Sequence, residues 1–182
     1  MILYISYLTA ILFILIFIMC VAIYMIGLIY SSIKGSPYVP TKRKILHKIL
    51  KKAGLKKGHR FIDIGCGDGR VVEEAVVGFG AKATGIDINP LLIIQAKLRS
   101  KIKNFKANFI VGNIKDIDLT DYDVIYVFLM PEFIDKISDK LKGALLNKTT
   151  VISHGFKVKQ LKKYLKIKIE SRTFPTYIYS VI

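Results

Sequence analysis

The ten residues Phe61–Arg70, F-I-D-I-G-C-G-D-G-R, combine types that could hold a ligand rather than fill a core. An apolar run with one acid, Asp63, leads into glycines at alternate positions, Gly65, Gly67 and Gly69, and then a helix-compatible segment, Val71–Phe79. Strand, glycine turn and helix form the opening of a nucleotide-binding α/β unit. Glycines there let a ligand approach the main chain, and the helix start offers free N–H groups to an anion. The spacing is G-x-G-x-G, which departs from the G-x-G-x-x-G of dinucleotide sites. A second short strand, Lys82–Asp87, ends in an acid 22 residues after Gly65. A carboxylate at that distance can accept from two neighbouring ribose hydroxyls. Each part has a plainer meaning, a tight turn for the glycines and a helix cap for Asp87-Ile-Asn89-Pro90. The two in order, at the spacing of one βαβ unit, favour a nucleotide-type ligand.

These motifs must be carried by an α/β domain, and the chain alternates accordingly. A helix is expected from Thr41, as its cap, to about Ala53, with Ile45, Leu46, Ile49, Leu50 and Ala53 on one face and lysines on the other. After the glycine turn come a helix from Pro90 to about Ser100 and a strand near Ala107–Val111 leading into Gly112-Asn113. The apolar run Tyr122–Leu129 has the pattern of a central parallel strand. Pro131 opens a helix to about Ala144, and Thr149–Ser153 is a strand ending in Ser153-His154-Gly155. A short basic helix, Val158–Leu165, precedes two β-rich stretches, Lys166–Phe174 and Thr176–Ile182. Five βα steps and a terminal β pair predict a doubly wound sheet with its ligand at the carboxyl ends of the strands.

Ahead of that domain, Ile2–Tyr30 contains no charged side chain. Roughly 20 apolar residues cross a bilayer core, so this run is long enough with some tilt. It lacks the charged n-region and A-x-A-like site of a cleaved signal peptide. The expected organisation is a transmembrane anchor over 1–30, a linker over 31–40 and a catalytic domain over 41–182. Lys34, Lys42, Arg43, Lys44, Lys48, Lys51, Lys52, Lys56, Lys57 and Arg60 all precede the first acid, Asp63. The positive-inside rule then places the domain in the cytoplasm. Basic residues just past a span suit anionic headgroups, which gives the net charge of +16 a natural cause. A nucleic-acid partner is disfavoured because no groove-reading or single-strand motif is present. Cys20 lies in the span and Cys66 in the turn, so a disulfide between them is not expected, and no His, Cys or carboxylate cluster has metal-ligand spacing.

Asp63-Ile-Gly-Cys-Gly-Asp-Gly-Arg70, Gly85-Ile-Asp87-Ile-Asn89, Gly112-Asn113 and Ser153-His154, together with Pro37-Tyr38-Val39-Pro40-Thr41, resemble the seven-β-strand, class I S-adenosylmethionine-dependent methyltransferases. Within that class the chain is most similar to archaeal broad-specificity protein-lysine methyltransferases and to the membrane-anchored group that modifies the c-type subunit of ATP synthase. The resemblance covers about Ser36 to Ile182. It implies a Rossmann-like seven-stranded sheet with an antiparallel last strand, S-adenosylmethionine as methyl donor, and a protein with an accessible lysine as substrate. It also implies that Asp63, Gly65, Gly67 and Gly69 shape the pocket for the methionine part, that Asp87 holds the ribose hydroxyls, and that Asn113 lies near the adenine. Tyr38 and Thr41 would close over the donor, and Phe128-Leu129-Met130-Pro131 would form the substrate channel. That last segment lacks the Asn/Asp-Pro-Pro-aromatic sequence of adenine and glutamine methyltransferases, which argues against those acceptors.

Plainer roles stand beside these. Tyr38 could be an interfacial aromatic, Asn113 a turn residue, and Phe128, Leu129 and Met130 strand-end core. His154 reads as a satisfied loop histidine in preference to a general base, and no catalytic base is named. The expected activity is protein-lysine methylation at the cytoplasmic membrane surface. The alternatives are methylation of a lipid or small membrane-resident acceptor, and a non-catalytic donor-binding membrane module.

Overall fold

The computed structural model describes residues 2–34, 43–171 and 173–181. Tyr38, Thr41 and most of the expected linker lie outside the described residues. The elements run α1 (Ile2–Lys34), α2 (Arg43–Lys52), β1 (Arg60–Ile64), α3 (Arg70–Phe79), β2 (Lys82–Asp87), α4 (Pro90–Ile102), β3 (Asn108–Val111), β4 (Val124–Val127), α5 (Pro131–Leu146), β5 (Thr150–His154), β6 (Leu165–Ile169) and β7 (Thr176–Tyr179).

The seven strands form one sheet in the order β3-β2-β1-β4-β5-β7-β6. The first five are parallel; β7 runs antiparallel to both β5 and β6. Successive residues on a strand face opposite sides, and the buried strands are apolar on both. Phe61, Val124, Tyr126 and Ile152 pack under α2, α3 and α4, while Ile62, Ile64, Ile125, Val127 and Val151 pack under α5. The strand order reverses direction between β1 and β4. Doubly wound sheets bind ligands at this kind of switch point, beyond the carboxyl ends of the strands.

Two features differ from expectation. α1 continues through Ser31–Lys34, which the sequence assigned to the linker. A long helix propagates at one hydrogen bond per residue, and no glycine or proline lies between Gly27 and Lys34. The β3–β4 and β5–β6 connections hold only 3₁₀ segments, Ile114–Asp116 and Lys159–Tyr164, in place of α-helices. Polar and β-branched residues dominate the first of them, and it offers no 3.6-residue apolar stripe. α1 includes Leu3–Gly27, which is long and apolar enough to cross a membrane, and no residue of its most apolar part is buried against the domain.

Gly69 shows how tightly the turn is fitted to the sheet. It sits at φ +77°, and a Cβ there would come 2.9 Å from the Ala96 Cβ and 3.0 Å from the Phe109 ring. Gly143, inside α5, has open space around it. Gly69→Ala should therefore cost about 3 kcal/mol and lower the unfolding midpoint by roughly 10 °C. Gly143→Ala should stabilise by about 0.5–1 kcal/mol. Thermal unfolding of the detergent-solubilised chain, followed by circular dichroism, checks both.

Candidate active site

The glycine turn leaves β1 at the centre of the sheet and is tied to the neighbouring strand. Gly65 and Cys66 both donate their N–H groups to the Ile86 carbonyl, at 2.9 and 3.0 Å. Gly67 N–H donates to one Asp87 carboxylate oxygen at 2.9 Å, and Asn89 N–H donates to the other at 2.8 Å. Asp87 thus clamps the turn to the end of β2. With the Ile88 N–H also turned toward it, the carboxylate still keeps acceptor capacity for a ligand hydroxyl. The cap of α4 is the neighbouring Asn89, whose side-chain oxygen accepts from Leu91 N–H at 2.9 Å. The Gly112 N–H donates to the Asp87 carbonyl at 3.0 Å, which draws the end of β3 to the same place. Asn113 follows, exposed, with its side-chain oxygen accepting from Lys115 N–H at 3.0 Å. Its oxygen is thus a turn cap.

Asp63 is only 2 % exposed, and no hydrogen bond within the described residues reaches its carboxylate. Burial, with Asp87 and Asp68 adding negative charge, pushes its pKa well above the usual carboxylate range. Burial also raises Asp87, opposed by the N–H groups of Asn89 and Gly67 that it accepts from. An unpaired buried carboxylate is costly unless a cationic ligand completes it. Cys66 is buried, and its thiol is pushed up by burial and by Asp63, so it is no nucleophile. Gly69 at the start of α3 has no side chain to cap it; Asp68 Oδ1 accepts from Arg70 N–H at 3.3 Å, and the Val71 and Val72 N–H groups of the first turn follow it.

The turn carries a brace that sequence reasoning missed. Asp68, 4 % exposed, is held by Arg70 at 2.8 Å and by Arg99 at 2.5 Å. Arg99 also donates to the Asp68 carbonyl at 2.9 Å and to Glu73 at 3.1 Å, and Glu73 pairs with Arg43. One guanidinium so ties α4, α3 and the glycine turn together. Its signal in the sequence is phase: Arg99 follows Leu92 and Ala96 at helical spacing, on the inward face of α4.

The expected substrate channel meets the turn. A Cβ on Gly65 would come 2.7 Å from Leu129 Cδ2, so the end of β4 lies directly across from the start of the turn. Phe128 and Leu129 are half-buried and Met130 is exposed at the start of α5, whose first residue is Pro131. Phe128 packs edge-on to His154 at 4.6 Å and to Phe174 at 5.1 Å between ring centroids. His154 is a strand residue, 3 % exposed, with Nδ1 2.7 Å from Thr176 Oγ1. Burial lowers its pKa to about 4, so it is neutral at physiological pH and poorly matched to deprotonating an ammonium. It is satisfied, as expected, though on a strand end and not in a loop. The aromatic partner Phe174 and the hydroxyl partner Thr176 were not singled out from sequence, because their contacts come from the antiparallel return of β7.

The parallel sheet with an antiparallel end, the glycine turn at the switch point and the acid ending β2 define a class I, Rossmann-like methyltransferase. A family model described as the ANTKMT methyltransferase domain matches residues 63–164, and the chain belongs to that family. It is 30% identical over 157 residues to a protein-lysine N-methyltransferase of Saccharolobus islandicus, covering 83% of this chain and 97% of that one. It is 27% identical over 122 residues to the lysine N-methyltransferase that acts on the C-type subunit of ATP synthase in Homo sapiens. That match covers 66% of this chain and about half (52%) of the human protein. Among solved structures, an RNA methyltransferase from Salinibacter ruber, in complex with S-adenosyl-L-homocysteine, matches with a TM-score of 0.73 at 26% identity. That match covers 79% of this chain and 94% of the other. The chain is an S-adenosylmethionine-dependent methyltransferase.

His154 gives the fold a pH dependence of known sign. Its pKa is about 4 in the folded chain and near 6.5 unfolded, so the unfolded state binds more protons between these values. The stability associated with the neutral ring is complete above about pH 6.5 and is lost as pH falls toward 4, by about 3 kcal/mol in all. The difference in stability between wild type and His154→Asn, measured by denaturant titration across that range, should change by this amount with wild type weakening faster in acid.

Proposed function

We propose that this chain methylates lysine side chains of proteins at the cytoplasmic surface of a membrane. The observation that carries the lysine assignment is the similarity to the Saccharolobus protein-lysine N-methyltransferase over nearly that protein's whole length. The membrane assignment rests on the apolar span Leu3–Gly27 and on the basic residues that follow it.

The site fits the donor by its own chemistry. Asp63, buried and without a partner among the described residues, would receive the ammonium group of the methionine part. The first turn of α3 beyond Arg70 suits its carboxylate, and the remaining acceptor capacity of Asp87 suits the ribose hydroxyls. Asn113 stands at the end of β3, beside the expected place of the adenine. When bound, the donor supplies an activated methyl group on a sulfonium that is its own leaving group. The protein's work is then alignment and exclusion of water. Leu129, opposite Gly65, and the Phe128–His154–Phe174 cluster form the apolar wall along which an amine would enter. Such a wall disfavours an ammonium and so lowers the pKa of an arriving lysine. The neutral His154 adds no charge to it.

Two measurements test these roles. Calorimetric titration with S-adenosylhomocysteine, which keeps the amino-acid and ribose parts, should show at least a tenfold loss of affinity for Asp87→Ala, about 1.4 kcal/mol or more. Binding should also release protons, because an ammonium beside Asp63 favours its carboxylate. The apparent heat of binding should therefore vary with buffer ionisation enthalpy near and below neutrality, and Asp63→Asn should abolish that variation. Acceptor identity is read with radiolabelled S-adenosylmethionine, the detergent-solubilised chain, and membranes or soluble extract from the source cells. Label in protein, mapped to lysine, supports the reading; label confined to lipid or RNA replaces it.

A further inference from the structure

α4 has two apolar faces, and the domain uses only one. Leu92, Ile93 and Ala96 are buried against the sheet. On the far side, Ile94, Leu98 and Ile102 are 61%, 54% and 71% exposed, and Leu91 is half-buried on the same face. At 100° per residue these four fall within about 80° of one another, a continuous stripe about 16 Å long. A helix apolar all round is normally covered all round. Other exposed apolar residues of the domain, such as Val77 and Leu146, stand on other elements.

α1 touches one end of this stripe. The Asn89 side-chain amide donates to the Gly27 carbonyl at 3.0 Å, and a Cβ on Gly27 would come 2.7 Å from Leu91 Cδ1. From there an open groove of about 450 Å³ runs between the two helices, lined by Tyr24, Leu98 and Ile102, with Gln95, Lys103 and the Asp68–Arg70–Arg99 cluster on its polar side. Tyr24 and Gly27 belong to the last turn of the apolar span Leu3–Gly27. α4 therefore stands at the level where the span ends. It carries no acidic residue, and Lys97, Lys101 and Lys103 flank its apolar stripe, all exposed.

We propose that the outer face of α4 is a membrane-docking surface, with Ile94, Leu98 and Ile102 seated at the boundary between headgroups and acyl chains and Lys97, Lys101 and Lys103 among anionic headgroups. The apolar stripe is contiguous with the span and rimmed by one sign of charge, the pattern of interfacial helices. The inference rests on α1 being a membrane span and deepens the proposed function. The residue that caps α4, Asn89, is bound through its N–H to Asp87, so docking would open the donor pocket at headgroup level. The substrate class narrows to lysines carried within the headgroup layer of membrane proteins.

Spin labels on the full chain test this directly. Leu98→Cys, Leu146→Cys and Phe13→Cys are labelled singly in a Cys20→Ala background, Cys66 being buried. The chains are placed in nanodiscs of mixed phosphatidylcholine and phosphatidylglycerol, and collisions with oxygen and with a water-soluble nickel chelate are compared. The label at 98 should resemble that at 13, with an oxygen-to-nickel ratio at least about threefold above that at 146. Pure phosphatidylcholine should move it toward the aqueous value. A lipid-like label at 13 with an aqueous one at 98 overturns the docking surface and leaves the span intact. An aqueous label at 13 overturns both. A label at 98 shielded from both reagents, with spin–spin broadening, overturns lipid in favour of a second copy of the chain.

Discussion

The site depends on a carboxylate clamp at the centre of the sheet. Asp87 ends β2 and binds the N–H groups of both Gly67 and Asn89. Neighbouring parallel strands bring β1 and β2 together, but they do not by themselves position the turn that leaves β1. Two charge-assisted bonds do so, and such bonds are roughly twice as strong as neutral ones. The turn, the start of α3 and the start of α4 are all referred to this one side chain.

Around the clamp, negative charge is concentrated and unequally satisfied. Asp68 is neutralised by Arg70 and Arg99, which converts it into a structural brace. Asp87 is held by backbone N–H groups. Asp63 has neither among the described residues, and burial raises its pKa accordingly. Burial favours its neutral form, and a cation placed beside it would restore the carboxylate. The three acids thus differ by what surrounds each: Asp68 is a brace, Asp87 a clamp, and Asp63 is, in the proposed reading, the receptor for the donor's ammonium. Opposite them, the β4 end and the β5–β7 pair present apolar and aromatic side chains with a neutral histidine. A cationic donor and an amine acceptor would meet between these two walls.

Membrane attachment and chemistry, in the proposed reading, share one element. α4 packs its inner face on the sheet, lends Arg99 to the brace, and takes its cap from the residue bonded to Asp87. Its outer face meets the end of the apolar helix. A rigid helix would therefore govern the distance between donor pocket and bilayer.

Much of this was legible in the residue order. The glycine spacing, the acids Asp63 and Asp87, the uncharged run Ile2–Tyr30 and the alternation of strand and helix are local signals, because period, turn chemistry and spacing act over a few residues. They determined the sheet class and a nucleotide-type ligand; the methyl donor came from the resemblance these motifs carry. Tertiary structure decided what is non-local. Leu129 meets Gly65 only because β4 pairs with β1; His154 finds Thr176 and Phe128 only because β7 returns antiparallel to β5. The brace through Arg99 needs α4 laid beside α3, and the continuation of α1 through Lys34 reflects helix propagation that turn-prone residues did not stop. Asn113 was legible as a turn residue, but its bond to the Lys115 N–H appears only in the folded chain. Contacts between residues far apart in the chain depend on strand order and packing, which no local pattern encodes.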